Sequence, residues 1–204
     1  MIRTMICLGL LAGPACAQDV PERPDVSFVA TAPRVDLNAP PPDTVRHAIV
    51  ATQDINFFDS YPAPSTITQQ IAQSYILPAN RTLASKVMEL GVVLDLSSTY
   101  SADEILTIYS QTIYLGARCY GFGDALHHRM GIDINDATLR DALTLATLIA
   151  HPVLPEIDPD QFVARFDFAA GIGADVELWD EDVKTQLLAL GPTPFIVGGT
   201  CPNT

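Results

Sequence analysis

The chain has 204 residues, enough for one ordinary domain, and 48% of them are hydrophobic. Its 11 basic and 24 acidic residues give a formal net charge of −13 at pH 7. Such a charge repels nucleic acids and anionic lipid surfaces. We therefore expect no nucleic acid partner and only weak or indirect membrane contact.

The first 17 residues have the pattern of a secretory signal peptide. Arg3 precedes an apolar stretch over residues 6–12, and residues 15–17 form a small-x-small cleavage site. The apolar stretch is far shorter than the ~20 residues of a spanning helix, so a retained anchor is the weaker alternative. A lipid anchor on Cys16 is weaker still, because Gly13-Pro14 suits a lipidation signal poorly. We therefore predict a periplasmic protein, secreted across the inner membrane.

Residues 18–42 are rich in proline and are predicted to form an extended arm or linker outside the core. Asp43 then has the character of a helix cap, and the spacing after it predicts a helix to about Phe57. A second helix is predicted after Ser65, with inward residues Ile67, Ile71 and Ile76. A third is predicted over about 81–97 and bears the apolar residues Leu83, Val87, Leu90, Val93 and Leu94.

Two capping boxes predict further helix starts. Ser101 and Glu104 open a fourth helix, whose predicted buried face carries Ile105, Ile108, Tyr109 and Ile113. Thr138 and Asp141 open a nearly all-apolar helix through Ala150, which we expect at the centre of the core. Shorter helices are predicted at 158–169 and 180–190, the latter closed by glycine.

No alternating strand pattern exceeds a few residues, apart from a short one at 195–197, so the fold class is predicted to be mainly α. One domain is expected over 43–190, with a tail over 191–204. In an oxidising compartment Cys119 and Cys201 are expected to form a disulfide, and two free thiols are the alternative. Zinc is disfavoured because no further ligands occur at metal spacing.

Candidate functional groups are few. Lys86 and Glu89 share a helix face, but a solvated ion pair explains that spacing equally well. The adjacent His127 and His128 would point to different faces, which disfavours a metal site. The run over 65–70, STITQQ, is more unusual, because a helix cap explains its first serine but not the polar groups that follow.

Four motifs and one apolar helix follow each other in an informative order. They are 51–57 (ATQDINF), 65–70 (STITQQ), 81–89 (RTLASKVME), 104–116 (EILTIYSQTIYLG) and the helix that ends at 150–152. Together they resemble glycosyltransferase family 51, the peptidoglycan glycosyltransferases of penicillin-binding proteins. The resemblance covers about residues 44–170.

The resemblance implies a mostly helical fold with a lysozyme-like lobe, acting on lipid II or peptidoglycan glycan strands. Members of the family join C1 of a growing glycan to the 4-hydroxyl of an incoming disaccharide and release undecaprenyl pyrophosphate. A first glutamate removes the hydroxyl proton. A second, with basic residues and often a divalent metal, steadies the pyrophosphate. Mg²⁺ or Mn²⁺ enters only through this resemblance, and the residues themselves require no cofactor.

The corresponding positions can be named in this chain. Gln53, followed by Asp54, stands at the first glutamate, whereas Glu89 and Lys86 match the second glutamate and a basic residue. Six residues are expected to bind substrate: Ser65, Thr66, Thr68, Gln69, Gln70 and Arg81.

Departures from the family pattern concern the catalytic groups. A carboxamide at position 53 cannot accept the proton, and general-base assistance is typically worth about 10²–10⁴-fold. Asp54 is a poor substitute, because neighbouring helical residues point roughly 100° apart. Ser85 replaces an arginine, and Gln73-Ser74 replaces a lysine-asparagine pair, so two differences remove cations.

Two further departures concern shape. Ser110-Gln111 replaces a leucine-asparagine pair. The segment over 57–65 is short, which predicts a reduced jaw, the part of the family's domain that dips into the membrane.

Three hypotheses remain open at this point. The favoured one is a non-catalytic homologue with a binding or regulatory role, for which other wall-synthesis proteins are candidate partners. The second is a weakly active transferase that uses Glu89 and Lys86, with water or Asp54 as the base. The third is a glycan-cleaving enzyme with Glu89 as its acid, for which the sequence offers no convincing second carboxylate.

Overall fold

The structure is a computed structural model that describes residues 25–27, 29, 32–75 and 82–202 and, at Tyr75 and Ala84, the backbone alone. Within these residues it contains no strand, and the mainly α fold class is confirmed. The predicted signal peptide with Cys16, and the residues Ile76 and Arg81, lie outside the described residues. The α-helices are α1 (Asp43–Gln53), α2 (Phe57–Ser60), α3 (Thr66–Tyr75), α4 (Leu83–Thr99), α5 (Ala102–Thr112), α6 (Phe122–Ala125), α7 (Leu139–Ala146), α8 (Leu154–Ile157), α9 (Pro159–Asp175) and α10 (Glu181–Leu190).

Helix α7 is central to the core, as its apolar sequence predicts. Its residues from Asp141 to Ala146 are buried, and it packs against α1 and α9. The helix ends at Ala146 instead of continuing to Ala150, because the amides of Leu148 and Ile149 bond three residues back and tighten the chain into turns. A second layer forms where α3 packs against α4 and α5.

The helix starts largely follow the predicted capping chemistry. Both capping boxes are confirmed: Ser101 with Glu104 begins α5, and Thr138 with Asp141 begins α7. Asp43 is not the cap of α1, since it lies in the first helical turn after Pro42. Helix α1 also ends at Gln53 and not near Phe57, because the backbone at the next residue is extended. A short turn and α2 follow.

Of the five apolar residues that the sequence singles out on α4, only Val93 is buried. Val92, Val93 and Leu96 are buried in the core, whereas the other apolar face is exposed to solvent. The exposed fractions on that face are Leu83 84%, Val87 67%, Leu90 52% and Leu94 48%. The helix is apolar on two sides, and sequence periodicity alone does not decide which side meets α3 and α5.

Helix α9 is longer than the predicted span of 158–169. It continues to Asp175 through two glycines, which are poor helix formers. Gly173 is needed because a Cβ there would lie 1.9 Å from the Trp179 ring. The Trp179 indole N–H donates to the Ala170 carbonyl at 3.0 Å and fixes this close approach. Helix α10 ends at Gly191 in the left-handed conformation, as predicted.

Both ends of the described chain pack onto the helical domain. Val26 and Val29 are buried, so the prediction that residues 18–42 stay outside the core is wrong for these two. The Tyr100 hydroxyl donates to the carbonyls of Val26 and Ser27. At the other end, Arg140 donates to the carbonyls of residues 190, 191 and 192.

A disulfide joins Cys119 to Cys201, with their Cα atoms 5.0 Å apart. It closes the tail against the segment that follows α5, where the Cys201 amide also donates to the Ala117 carbonyl. None of the described helices is long and apolar enough to cross a bilayer.

Candidate functional site

The C-terminal end of α1 faces α3 through a chain of three polar side chains. Gln70 Nε2 donates to Gln53 Oε1 at 3.0 Å. The Tyr109 hydroxyl on α5 donates to Gln70 Oε1 at 2.8 Å. The side chain at position 53 is therefore held in place by an amide and a phenol from two neighbouring helices.

The STITQQ run builds this contact from its first hydroxyls. Ser65 caps α3, because its Oγ accepts from the Thr68 amide at 3.1 Å and lies 3.0 Å from the Thr68 hydroxyl. Both side chains are buried. The Thr66 hydroxyl donates to the Gln53 carbonyl at 2.6 Å and joins the start of α3 to the end of α1. These three residues, which are predicted to bind substrate, therefore hold the backbone at the start of α3 and at the end of α1. Gln69, a fourth predicted substrate-binding residue, is only partly buried.

Asp54 takes no part in this chain. Its Oδ1 accepts from the Asn56 amide at 3.2 Å, within the turn that ends α1. The described hydrogen bonds thus direct residue 53, and not residue 54, toward α3.

Glu89 on α4 meets the same helix α3 three residues further along. Gln73 Nε2 donates to Glu89 Oε1 at 3.0 Å, and the Glu89 side chain is only partly exposed. Because positions 70 and 73 share a helix face, α3 contacts Gln53 through one and Glu89 through the other. The structure therefore brings the two family positions to one side of α3.

The cations expected near Glu89 are reduced to one in the described part of α4. Lys86 is exposed, and the described ion pairs do not join it to Glu89. Ser85 belongs to a capping box instead: its Oγ accepts from the Thr82 amide, and its own amide donates to Thr82 Oγ1. The serine at the arginine position therefore stabilises the start of α4.

The phenol of Tyr109 keeps its proton near neutral pH. Burial raises the pKa of the Tyr109 phenol well above its ordinary value, so the phenol stays protonated and remains a donor to Gln70. A divalent metal does not fit the described residues, since they contain no group of three or more histidine, cysteine or acidic side chains. One carboxylate oxygen of Glu89 also accepts a hydrogen bond from Gln73.

Three side chains at or near the site were not predicted to have these roles. Tyr109 was placed on the buried face of its helix, but its hydrogen bond to Gln70 needs the arrangement of α3 and α5. Gln73 was noted only as a lost cation. Gln111 holds the N-terminal arm by donating to the carbonyls of Asp36 and Ala39 and accepting from the Asp36 amide.

Comparison with known proteins gives a consistent result. The model of the family described as Transglycosylase matches residues 59–169, beginning six residues after Gln53. Penicillin-binding protein 1A/1B of Bacillus subtilis is 32% identical over 148 residues, covering 61% of this chain and 16% of that protein. Penicillin-binding protein 1A of Escherichia coli is 31% identical over 154 residues, covering 64% and 18%.

One solved structure also resembles the chain. The crystal structure of penicillin-binding protein 1A from Haemophilus influenzae has a TM-score of 0.48 and 18% identity, covering 76% of this chain and 17% of that chain. The chain thus spans less than a fifth of the length of each of these relatives.

Proposed function

Because this chain belongs to the transglycosylase family, we propose that it binds lipid II or nascent glycan strands in the periplasm with lost or strongly impaired transferase activity. The observation that carries the proposal is the fixed carboxamide of Gln53. Its oxygen accepts from Gln70, which leaves the NH₂ group as the part that a substrate would meet. An NH₂ group donates hydrogen bonds and cannot take a proton from a sugar hydroxyl.

The leaving-group side of the site supports the same conclusion. A departing pyrophosphate is stabilised by fixed positive charge, which carries much of the catalysis in such reactions. Here Gln73 offers Glu89 a neutral amide, and Ser85 is engaged in the cap of α4. Lys86 remains as an exposed cation. One cation is enough to attract an anionic lipid headgroup, but it gives little stabilisation to a departing pyrophosphate.

A weakly active transferase is the second candidate, favoured by the retention of both Glu89 and Lys86. Its base would have to be water or Asp54, and Asp54 is engaged with the Asn56 amide. A glycan-cleaving enzyme has weaker support, because such enzymes pair two carboxyl groups across the bond. A chain that binds lipid II or glycan strands without catalysing their transfer would act as a binding or regulatory partner of other wall-synthesis proteins.

The test is a paired measurement on the purified protein with labelled lipid II. We expect saturable binding that weakens in Lys86→Gln, together with no growth of glycan chains. Lys184→Gln, on α10, is the matched control for removing one positive charge elsewhere. Sustained chain growth by the unmodified protein would show that the transferase is intact. Loss of that growth in Glu89→Gln would then assign it to the second candidate.

A further inference from the structure

A pocket lies beside the end of α1, next to the residue Gln53 of the candidate site. Its cavity volume is about 300 Å³, and it is formed where α1 packs against α9 and the end of α7. Ala51 and Thr52, which immediately precede Gln53, form one wall. Gln161, Arg165 and Phe168 of α9 form the opposite wall. A ligand in this pocket would therefore lie next to the backbone that carries Gln53.

Arg165 is the unusual member of this lining. Its Nε atom is buried and has no hydrogen-bond partner among the described residues. The described ion pairs do not include its guanidinium either, although acidic residues outnumber basic ones by more than two to one in this chain. Buried polar groups in native proteins are nearly always paired. Nε itself has no accessible surface, so a ligand in the pocket would meet the terminal nitrogens of the half-buried Arg165, which no described hydrogen bond or ion pair engages.

The other groups of the pocket indicate the kind of molecule that supplies the acceptor. Phe168 is 71% exposed at the rim and offers an apolar surface. The last carbonyls of a helix such as α1 accept hydrogen bonds and disfavour a purely anionic ligand. A guanidinium binds carboxylates and phosphates through two parallel N–H···O bonds, and a carboxylate carries the smaller negative charge of the two. A volume of about 300 Å³ holds roughly ten water-sized groups, comparable to one sugar or a short peptide end.

We propose that the Arg165 pocket binds a carboxylate-bearing end of a peptidoglycan building block, with Arg165 on the carboxylate and Phe168 against its apolar part. The peptidoglycan source of this carboxylate rests on the proposed function. Two fragments supply the chemistry: the C-terminal D-alanine of a stem peptide, and the lactyl group of an N-acetylmuramic acid that carries no stem peptide, because attachment of the peptide converts that carboxylate into an amide. Both carry amide N–H or hydroxyl donors for the end of α1.

The test is a binding titration of the purified protein, followed by NMR or calorimetry, with three probes. They are an acyl-D-alanyl-D-alanine with a free carboxylate, the same peptide as its C-terminal amide, and N-acetylmuramic acid. We expect saturable binding of at least one carboxylate probe, and the one that binds identifies the source. If that probe is the peptide, its amide should bind roughly tenfold or more weakly, since bonds to charged groups are the stronger ones.

Variants locate the binding. Arg165→Gln should weaken carboxylate binding by a similar factor, and Arg165→Lys should recover part of it, because the charge is retained and the planar fork is lost. Lys184→Gln removes one charge on α10 and should leave binding unchanged. Thermal unfolding of each variant checks that the fold is retained.

Three results would overturn the inference: neither carboxylate probe binds, acid and amide bind equally, or folded Arg165→Gln binds like the unmodified protein. These results are separable from a failure of the proposed function, which is measured with lipid II and Lys86→Gln. Carboxylate binding without lipid II binding would contradict only the proposed function. Lipid II binding without carboxylate binding would contradict only the pocket.

Discussion

At the scale of single residues, the proposal of impaired transferase activity depends on the carboxamide at position 53. Its carboxamide is held by Gln70, and Gln70 is held by Tyr109, so the side chain has a fixed position, which under the proposed function is that of the base. What it lacks is the chemical property and not the position. A substitution that restores a carboxylate therefore has a prepared partner in the Gln70 amide.

Gln53→Glu is expected to raise the rate of glycan chain formation from lipid II by up to about 10²-fold, the lower end of the range for a general base. The lower end is expected because Ser85 and Gln73 leave the pyrophosphate side short of cations. Adding Ser85→Arg and Gln73→Lys should raise the rate further. Gln186→Glu, on α10, adds the same charge elsewhere and should have no effect. A folded triple variant with no more activity than the unmodified chain would contradict the proposed role of position 53.

Tyr109→Phe tests the other end of the polar chain. It leaves Gln70 Oε1 without its phenol donor, which should lower the free energy of unfolding by about 1 kcal/mol. The measurement is denaturant unfolding by circular dichroism. Thr185→Ala on α10, which loses an exposed hydroxyl bonded to its own helix, is the control and should change stability less.

The pKa of Tyr109 adds a pH signature to the same variant. Burial raises its pKa in the folded protein above the ordinary value of 10.0. The phenol's contribution to stability is therefore complete below pH 10 and is lost as the pH rises toward the folded-state pKa. Between about pH 9 and about pH 11, on either side of the ordinary phenol pKa, the free energy of unfolding should fall more in the unmodified protein than in Tyr109→Phe. Parallel losses in the two proteins would contradict this account.

At the scale of elements, α4 shows that different contacts determine where a helix begins and which of its faces is buried. Its exposed face carries Leu83, Val87, Leu90 and Leu94, whereas Leu96 is fully buried. The start of the helix is set locally by the capping box of Thr82 and Ser85. Its rotation about its own axis is set by contacts with α3 and α5, which lie elsewhere in the chain.

A matched pair of leucines tests this orientation. Leu96→Ala should lower the free energy of unfolding by about 2–5 kcal/mol, because it removes buried methylenes and leaves a cavity. Leu90→Ala, at a half-exposed position of the same helix, should change it by less than about 1 kcal/mol. Both values come from denaturant unfolding. Equal losses would show that the face with Leu90 is covered in solution.

At the scale of the whole molecule, contacts far apart in sequence fasten both ends to the helical domain. Gln111 on α5 binds the arm at Asp36 and Ala39. Thr193 of the tail donates to Asp141 at the start of α7. The ring of Phe195 lies over the buried Arg129 guanidinium, 4.3 Å from its Cζ. The disulfide then closes the end of the tail, joining cysteines that are 82 positions apart in sequence.

Cys201→Ser is expected to lower the free energy of unfolding by about 2–5 kcal/mol, the usual loss for a native disulfide. The unmodified protein treated with a reductant should show a similar loss, whereas the variant should not respond to the reductant. Proteolysis should cut the tail faster after Phe195 than before it, because Arg140 and Thr193 still hold the earlier part. An unchanged unfolding midpoint in both cases would contradict a stabilising role for the disulfide.

The sequence by itself determined the features that depend on neighbours in the chain. Capping boxes at Ser101 and Thr138, the closing Gly191 and the apolar run of α7 all use groups within a few residues, so local chemistry was sufficient. The family motifs likewise identified Gln53 and Glu89 as the positions to inspect.

Only the tertiary structure decided how those elements meet. The bond from Gln70 to Gln53, the engagement of Glu89 by Gln73, the outward face of α4 and the unpaired Nε of Arg165 each depend on the packing of separate helices. Apolar periodicity specifies that a helix has a buried side, but two apolar sides compete for the core. Packing against the other helices selects one of them.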